Sequence, residues 1–247
     1  MKYRFAALMA AACLAVAGQA GAVDSKKHWA YDGAEGPQNW AKLSKDFAKC
    51  DVGAEQSPID LSHPVNAQLG KLDIHWNKAG QWTVVNTGHT IQASAADGGF
   101  ITIEGKQYKL IQFHFHTPSE HSVGGKHSEM EVHLVHQAAD GSLAVVAVLL
   151  QGKGKAGAFD DVMKAAPKAQ GAGNVTSLNP LGLLPATAHY FRYEGSLTTP
   201  PCSETVVWTV LKQPLAVSDQ AIAAFKSLYP MDARPVQATH RRYVLAQ

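Results

Sequence analysis

Residues Gln112–Gln137 read QFHFHTPSEHSVGGKHSEMEVHLVHQ and hold six of the chain's twelve histidines. Both ends of the stretch alternate with a period of two. That is the spacing of a β-strand, whose successive side chains leave opposite faces. On the first strand Gln112, His114 and His116 share one face, while Phe113 and Phe115 share the other. On the second, Glu131, His133 and Val135 lie opposite Val132, Leu134 and His136.

With the two strands side by side, three imidazoles converge. A zinc ion at roughly 2.0–2.1 Å from each nitrogen then keeps a fourth position for water. The candidate ligands are His114, His116 and His133. Gln112 and Glu131 each precede a ligand by two residues, placed to accept the distal ring N–H and fix its tautomer. The other histidines read more plainly. His136 and His121 are expected as hydrogen-bonded core residues and His127, after Gly-Gly-Lys, as a solvated turn residue. His63, His75, His189 and His240 show no partner pattern. The His-x-His-x-x-x-Glu spacing of HFHTPSE is also that of the cupin barrels. However, Tyr108 and His127 stand where that motif needs glycine, and no histidine completes a second motif after Pro180.

The strand pattern extends outward. FITIEGKQYKLIQFHFH reads as two strands joined at Glu104-Gly105, and MEVHLVHQAADGSLAVVAVLLQ as a hairpin turning at Asp140-Gly141. QWTVVNTGHTIQA, HYFRYEG and ETVVWTVL are further strands. SDQAIAAFKSL predicts a helix capped by Ser218, and GAFDDVMKAA a shorter one. KAAPKAQGAGNVTSLNPLG, rich in Gly, Pro and Ala, reads as a long surface loop. A mostly β, single-domain protein with short peripheral helices is expected.

The composition, 46% hydrophobic and 17% charged over 247 residues, is that of an ordinary globular chain. Residues 1–22 stand apart: two cationic residues, a short apolar run and a terminal Ala-Gly-Ala predict a signal peptide cleaved after Ala22. Cys13, inside that run, is a poor lipid-attachment site. Removing Lys2 and Arg4 takes the net charge from +2 to zero, so nothing points to nucleic acid or to an anionic membrane. No later apolar run is long enough for membrane insertion. Cys50 and Cys202 remain. In an exported chain an even pair points to a disulfide, with zinc thiolate or free thiols as the alternatives.

Taken together, QFHFH, SEHSV, EVHLVH, SLTTPPC, NTGH, QSPIDL and ARPVQ resemble, in order and spacing, the α-class carbonic anhydrases, and HWAY near the mature N-terminus fits as well. The short connection from FHFH to SEH, the leader and the cysteine pair are similar to the bacterial secreted branch. The resemblance implies a large, mainly antiparallel, ten-stranded twisted sheet with one zinc per chain at the bottom of a conical cleft. It also implies cis peptides at Ser57-Pro58 and Pro200-Pro201, a Cys50–Cys202 bridge and a periplasmic location.

The implied reaction is the reversible hydration of carbon dioxide to bicarbonate and a proton by a zinc-activated hydroxide. Glu120 and Thr198 would orient the nucleophile. Val135, Val145, Leu197 and Trp208 would hold carbon dioxide, and Thr199 would contact bicarbonate. His89 would carry the proton out, with Tyr31, Asn86, Thr87 and Gln92 lining its path. Thr87 and Gln92 stand where the best-known animal members carry asparagine, and Asp232 replaces an amide common before the ARPVQ segment. The resemblance admits a homodimer. Two rivals are a non-catalytic zinc-binding or adhesion module on the same scaffold, and an esterase. The second would be a side activity of the same site, since no Gly-x-Ser-x-Gly elbow exists.

Overall fold

The computed structural model describes residues 28–247. The expected leader, with Cys13, lies outside them. Twelve strands form one sheet, ten of them on a continuous path. From one edge the path runs Val65–Asn66, Leu245–Ala246, Tyr190–Gly195, Val206–Ala216 and Leu143–Gln151. It continues through Met130–Gln137, Lys106–His116, Ile91–Ser94 and Gly80–Asn86 to Gly173–Leu178. Gly99–Ile103 pairs with Lys106–His116 and carries Asp73–Trp76 on its other side. The sheet is mainly antiparallel, as expected, with two parallel pairings: Leu143–Gln151 with Val206–Ala216, and Val65–Asn66 with Leu245–Ala246.

Local chemistry sets the turns and helix ends where the sequence places them. Glu104 and Gly105 take φ of 51° and 81°, and Gly141 takes 86°, the left-handed values that tight hairpins require. Ser218 caps Asp219–Leu228 by accepting from the Ala221 N–H at 3.1 Å. Ala158–Ala165 forms the shorter helix.

The expected long loop is different. It contains the edge strand Gly173–Leu178, paired antiparallel with Gly80–Asn86, and a short 3-10 turn at Pro180–Leu183. An edge strand needs only one partner, and this one is exposed along most of its length, so no apolar alternation announces it.

Period-two alternation places a separate apolar cluster on each face of the sheet. Phe113, Phe115, Val132, Leu134, Val146 and Val148 point to the face covered by the two helices, where they meet Phe159 and Phe225. Burying each such side chain stabilises by roughly 1.5–3 kcal/mol. Val135, Val145, Tyr193, Trp208 and Ile59 form the cluster on the other face.

Cys50 and Cys202 are joined, with Cα atoms 5.1 Å apart and a sequence separation of 152. The bridge excludes the thiolate and free-thiol alternatives. By restricting the unfolded chain it contributes roughly 5 kcal/mol in a loop-entropy estimate. It packs with Trp40 and pins the segment after Leu197 to the N-terminal region. Cis peptides occur at Ser57-Pro58 and Pro200-Pro201, and also at Thr117-Pro118.

Candidate metal centre

Strand register builds the site. His114 lies directly across from His133, and His116 from Glu131. One ligand nitrogen from each of His114, His116 and His133 lies within 4.8 Å of the other two. Each ring has its second nitrogen engaged. His114 Nδ1 is 2.8 Å from Gln112 Oε1, and His133 Nε2 is 3.0 Å from Glu131 Oε1. His116 Nδ1 donates to the Asp232 backbone carbonyl at 2.8 Å. These acceptors fix the tautomers and leave His114 Nε2, His116 Nε2 and His133 Nδ1 with lone pairs. His116 Nε2 is buried and has no hydrogen-bond partner among the described residues. Such a nitrogen is costly unless it ligates something, so the donor set fits a three-histidine zinc site with an open fourth position.

Electrostatics favours the neutral, ligating form at two of the rings. Burial, then repulsion from His116 and His133, holds His114 well below the usual imidazole range. Burial also lowers His133. At His116 burial is outweighed by Glu120 and Asp232, and the net shift is upward.

Behind His133 lies a buried chain the sequence did not reveal. Glu131 takes His121 Nδ1 at 2.7 Å and the His121 N–H at 2.8 Å; His121 Nε2 faces Tyr193 Oη at 2.6 Å. Burial alone would raise Glu131, but His121 and His133 outweigh it and hold the carboxylate ionised. His136 is the core residue expected of it. It accepts from Trp76 Nε1 at 2.9 Å, and burial lowers it to about 3. His127 is exposed as expected, although its Nδ1 reaches the Ser119 carbonyl at 2.6 Å.

Next to the histidine row lies an apolar one. Val135 pairs with Val145, Val145 with Trp208, and Leu197 packs on the same cluster. Thr198 is buried and Thr199 half-buried beside it. Glu120 is fully buried; its Oε1 accepts the Arg234 N–H at 2.8 Å. The expected Thr198–Glu120 hydrogen bond is not formed. Glu120 Oε2 has no hydrogen-bond partner among the described residues and lies 3.7 Å from His116 Nε2 and 3.9 Å from His133 Nδ1.

His89 is half-buried in the turn after Gly80–Asn86, stacked on Trp29 with centroids 3.9 Å apart. Burial, then His28, holds it below its ordinary 6.5. Gln92 lies across from His114. Thr87 is turned to local use, accepting from the His89 and Thr90 N–H groups. Tyr31 packs against Trp29 and Trp40, and its hydroxyl is raised by burial and by Glu120 and Asp232. Asn86 departs from expectation. It is buried, and its amide is spent on the Pro167 and Lys168 carbonyls, the Gly88 N–H and the Tyr229 hydroxyl. It braces a loop and offers no free group to a proton path.

Asp232 is the least satisfied group at the centre. Its Oδ1 accepts the Thr117 N–H at 2.6 Å, its Oδ2 has no partner among the described residues, and burial raises it to about 7. A carboxyl whose folded pKa exceeds its unfolded 3.8 adds stability at acid pH and loses it as pH rises toward 7. Asp232→Asn keeps the acceptor for Thr117 and cannot ionise. In urea titrations of the metal-free protein it is expected to stabilise by up to about 4 kcal/mol at pH 8, shrinking below about 2 kcal/mol at pH 5. An equal effect at both pH values would refute this assignment of cost to the ionised carboxyl.

Comparison with known proteins agrees with this architecture. Residues 35–247 match the family model "Eukaryotic-type carbonic anhydrase". A carbonic anhydrase from Klebsiella pneumoniae is 41% identical over 223 residues, covering 88% of this chain and 90% of that protein. One from Pectobacterium atrosepticum is 36% identical over 252 residues, covering 99% and 100%. The α-carbonic anhydrase of Thermovibrio ammonificans, solved with sulfanilamide, superposes with a TM-score of 0.85 at 38% identity, covering 89% of this chain and 99% of that one. The chain belongs to the eukaryotic-type, or α-class, carbonic anhydrase family.

Proposed function

We propose that the chain catalyses the reversible hydration of carbon dioxide, with His114, His116 and His133 holding one zinc ion. The observation that carries this reading is the adjacency of two rows: three convergent imidazoles, with His116 Nε2 buried and unpartnered among the described residues, beside the apolar row Val135–Val145–Trp208. Zinc supplies a Lewis acid that brings the pKa of bound water to about 7, carbonic anhydrase itself being the standard example.

The chain's own residues do the rest. Val135, Val145, Leu197 and Trp208 give an apolar gas a surface without competing hydrogen bonds. Thr198 is assigned as the donor to Glu120 Oε2, one of two carboxylate oxygens at the site with no donor among the described residues. With its proton committed there, the Thr198 oxygen can only accept, so it favours a nucleophile that carries a proton. Thr199 contacts bicarbonate. Gln112, Glu131 and the Asp232 carbonyl keep the ligands in one tautomer. Tyr31 and Gln92 line the route to His89. The leader and the disulfide support export of a single domain, residues 23–247, to the periplasm.

His89 accepts the released proton and passes it to buffer; an imidazole held below 6.5 gives that proton up readily near neutrality. His89→Ala is expected to slow turnover in weak buffer at least tenfold, the lower end of general acid–base effects being about 100-fold. Added imidazole is expected to restore it. Unchanged turnover in weak buffer would exclude the shuttle. The main test is stopped-flow carbon dioxide hydration: a chain that binds zinc without turning over would be a binding module instead.

A further inference from the structure

On the sheet face opposite the metal histidines lies a cavity of about 440 Å³. A second, of about 210 Å³, shares Ile103, Glu104 and Arg192 with it. Alternation fixes the face: Tyr193 and Trp208 belong to the metal side, so Arg192, Glu194 and Thr209 point to the other. The volume is in the range of small-molecule sites.

Arg192 is the group to explain. It is half-buried, lies over the Tyr190 ring at 5.0 Å, and donates from Nε to Thr209 Oγ1 at 3.0 Å. It forms no ion pair among the described residues, and no hydrogen bond from its two terminal nitrogens is present there either. Burial lowers the guanidinium, while Glu104 and Glu194 act against that shift. Burial in turn raises the Glu194 carboxyl, and Arg192 opposes it. The two stand side by side, two residues apart on one face of the same strand, with no ion pair between them among the described residues. Lys106 is no competitor, since its ammonium is bound by Asp140 at 2.7 Å and Ser142 at 2.6 Å. A planar fork of free N–H donors matches a carboxylate bidentately, and the Glu194 carboxylate beside it matches an ammonium. Ile103, Val207 and the exposed Tyr243 ring supply an apolar wall.

We propose that this groove is a second ligand site, which binds a small zwitterion of the amino-acid type, its carboxylate on Arg192, its ammonium on Glu194 and its apolar body against Tyr243.

Calorimetric titration of the zinc-loaded protein with L-leucine tests it, with 4-methylpentanoate lacking the ammonium and isopentylamine lacking the carboxylate. The expected result is saturable binding of leucine in the millimolar range or tighter, and at least tenfold weaker binding of both truncated probes. Arg192→Gln is expected to weaken leucine binding at least tenfold while carbon dioxide hydration stays unchanged. Glu194→Gln, at an exposed position, is expected to abolish the preference for leucine over 4-methylpentanoate. Leucine binding that survives Arg192→Gln would place the ligand elsewhere, the metal cleft included, and overturn the proposal. No saturable binding to the unaltered protein would overturn it equally, as would a preference that survives Glu194→Gln.

Discussion

His116→Ala is expected to reduce zinc affinity and carbon dioxide hydration together, with hydration falling below detection at stoichiometric zinc. His116 is the proposed ligand whose free nitrogen is buried with no hydrogen-bond partner among the described residues. Its removal opens a hole in the coordination set and leaves the Asp232 carbonyl without its donor. Losing only an outer hydrogen-bond partner, as in Gln112→Ala, is expected to cost about 10–100-fold in affinity or activity. The direct ligand must cost more. Competition with a chelator measures the affinity independently of turnover, so failure to bind and failure to react are separated. If His116→Ala retains zinc as tightly as Gln112→Ala, the ligand set is wrong.

The second large effect is on stability. Arg234→Ala is expected to destabilise by about 3–5 kcal/mol, the lower part of the range for unpairing three buried acceptors. The guanidinium is buried and donates to Gln56 Oε1 at 2.9 Å, the Ser57 carbonyl at 2.7 Å and the Cys50 carbonyl at 2.9 Å. It also lies over the Trp40 ring at 5.6 Å. Truncation leaves three buried acceptors unpaired, each worth about 1–3 kcal/mol. For a chain of this size the drop in Tm is expected to be about 10 °C, at roughly 2–4 °C per kcal/mol. Lysine cannot reach three acceptors with a planar fork, so Arg234→Lys is expected to recover less than half the loss. A shift in urea midpoint worth under about 1 kcal/mol would show that the network is dispensable.

Arg234 also shows where sequence reading stops. It belongs to a quoted motif, ARPVQ, yet its partners at Cys50, Gln56 and Ser57 lie more than 170 positions away in the chain. No local pattern encodes that contact. The convergence of the candidate metal histidines was legible because the strand period is local: two residues per repeat place His114 with His116, and Glu131 with His133. His121 was expected as a core residue, but its link from Glu131 to Tyr193 depends on a strand far along the chain. Asn86 misled for a related reason. Its motif is a turn, and only the packing of Pro167–Lys168 and Tyr229 around that turn consumes its amide. Edge strand Gly173–Leu178 was hidden because exposure on both faces erases alternation.

Between them, Asp232 and Glu120 bring two incompletely paired carboxyls to the metal centre. A cation among the imidazoles would offset their burial, which is why the gain from Asp232→Asn is expected to be smaller in the zinc-loaded protein than in the metal-free one.

The most direct test is stopped-flow carbon dioxide hydration by the purified protein as isolated, after zinc removal, and after one equivalent of zinc is returned. Fast hydration that disappears with zinc and returns with it is the predicted result. No hydration with one zinc tightly bound would contradict the assignment and leave the three histidines as a binding site alone.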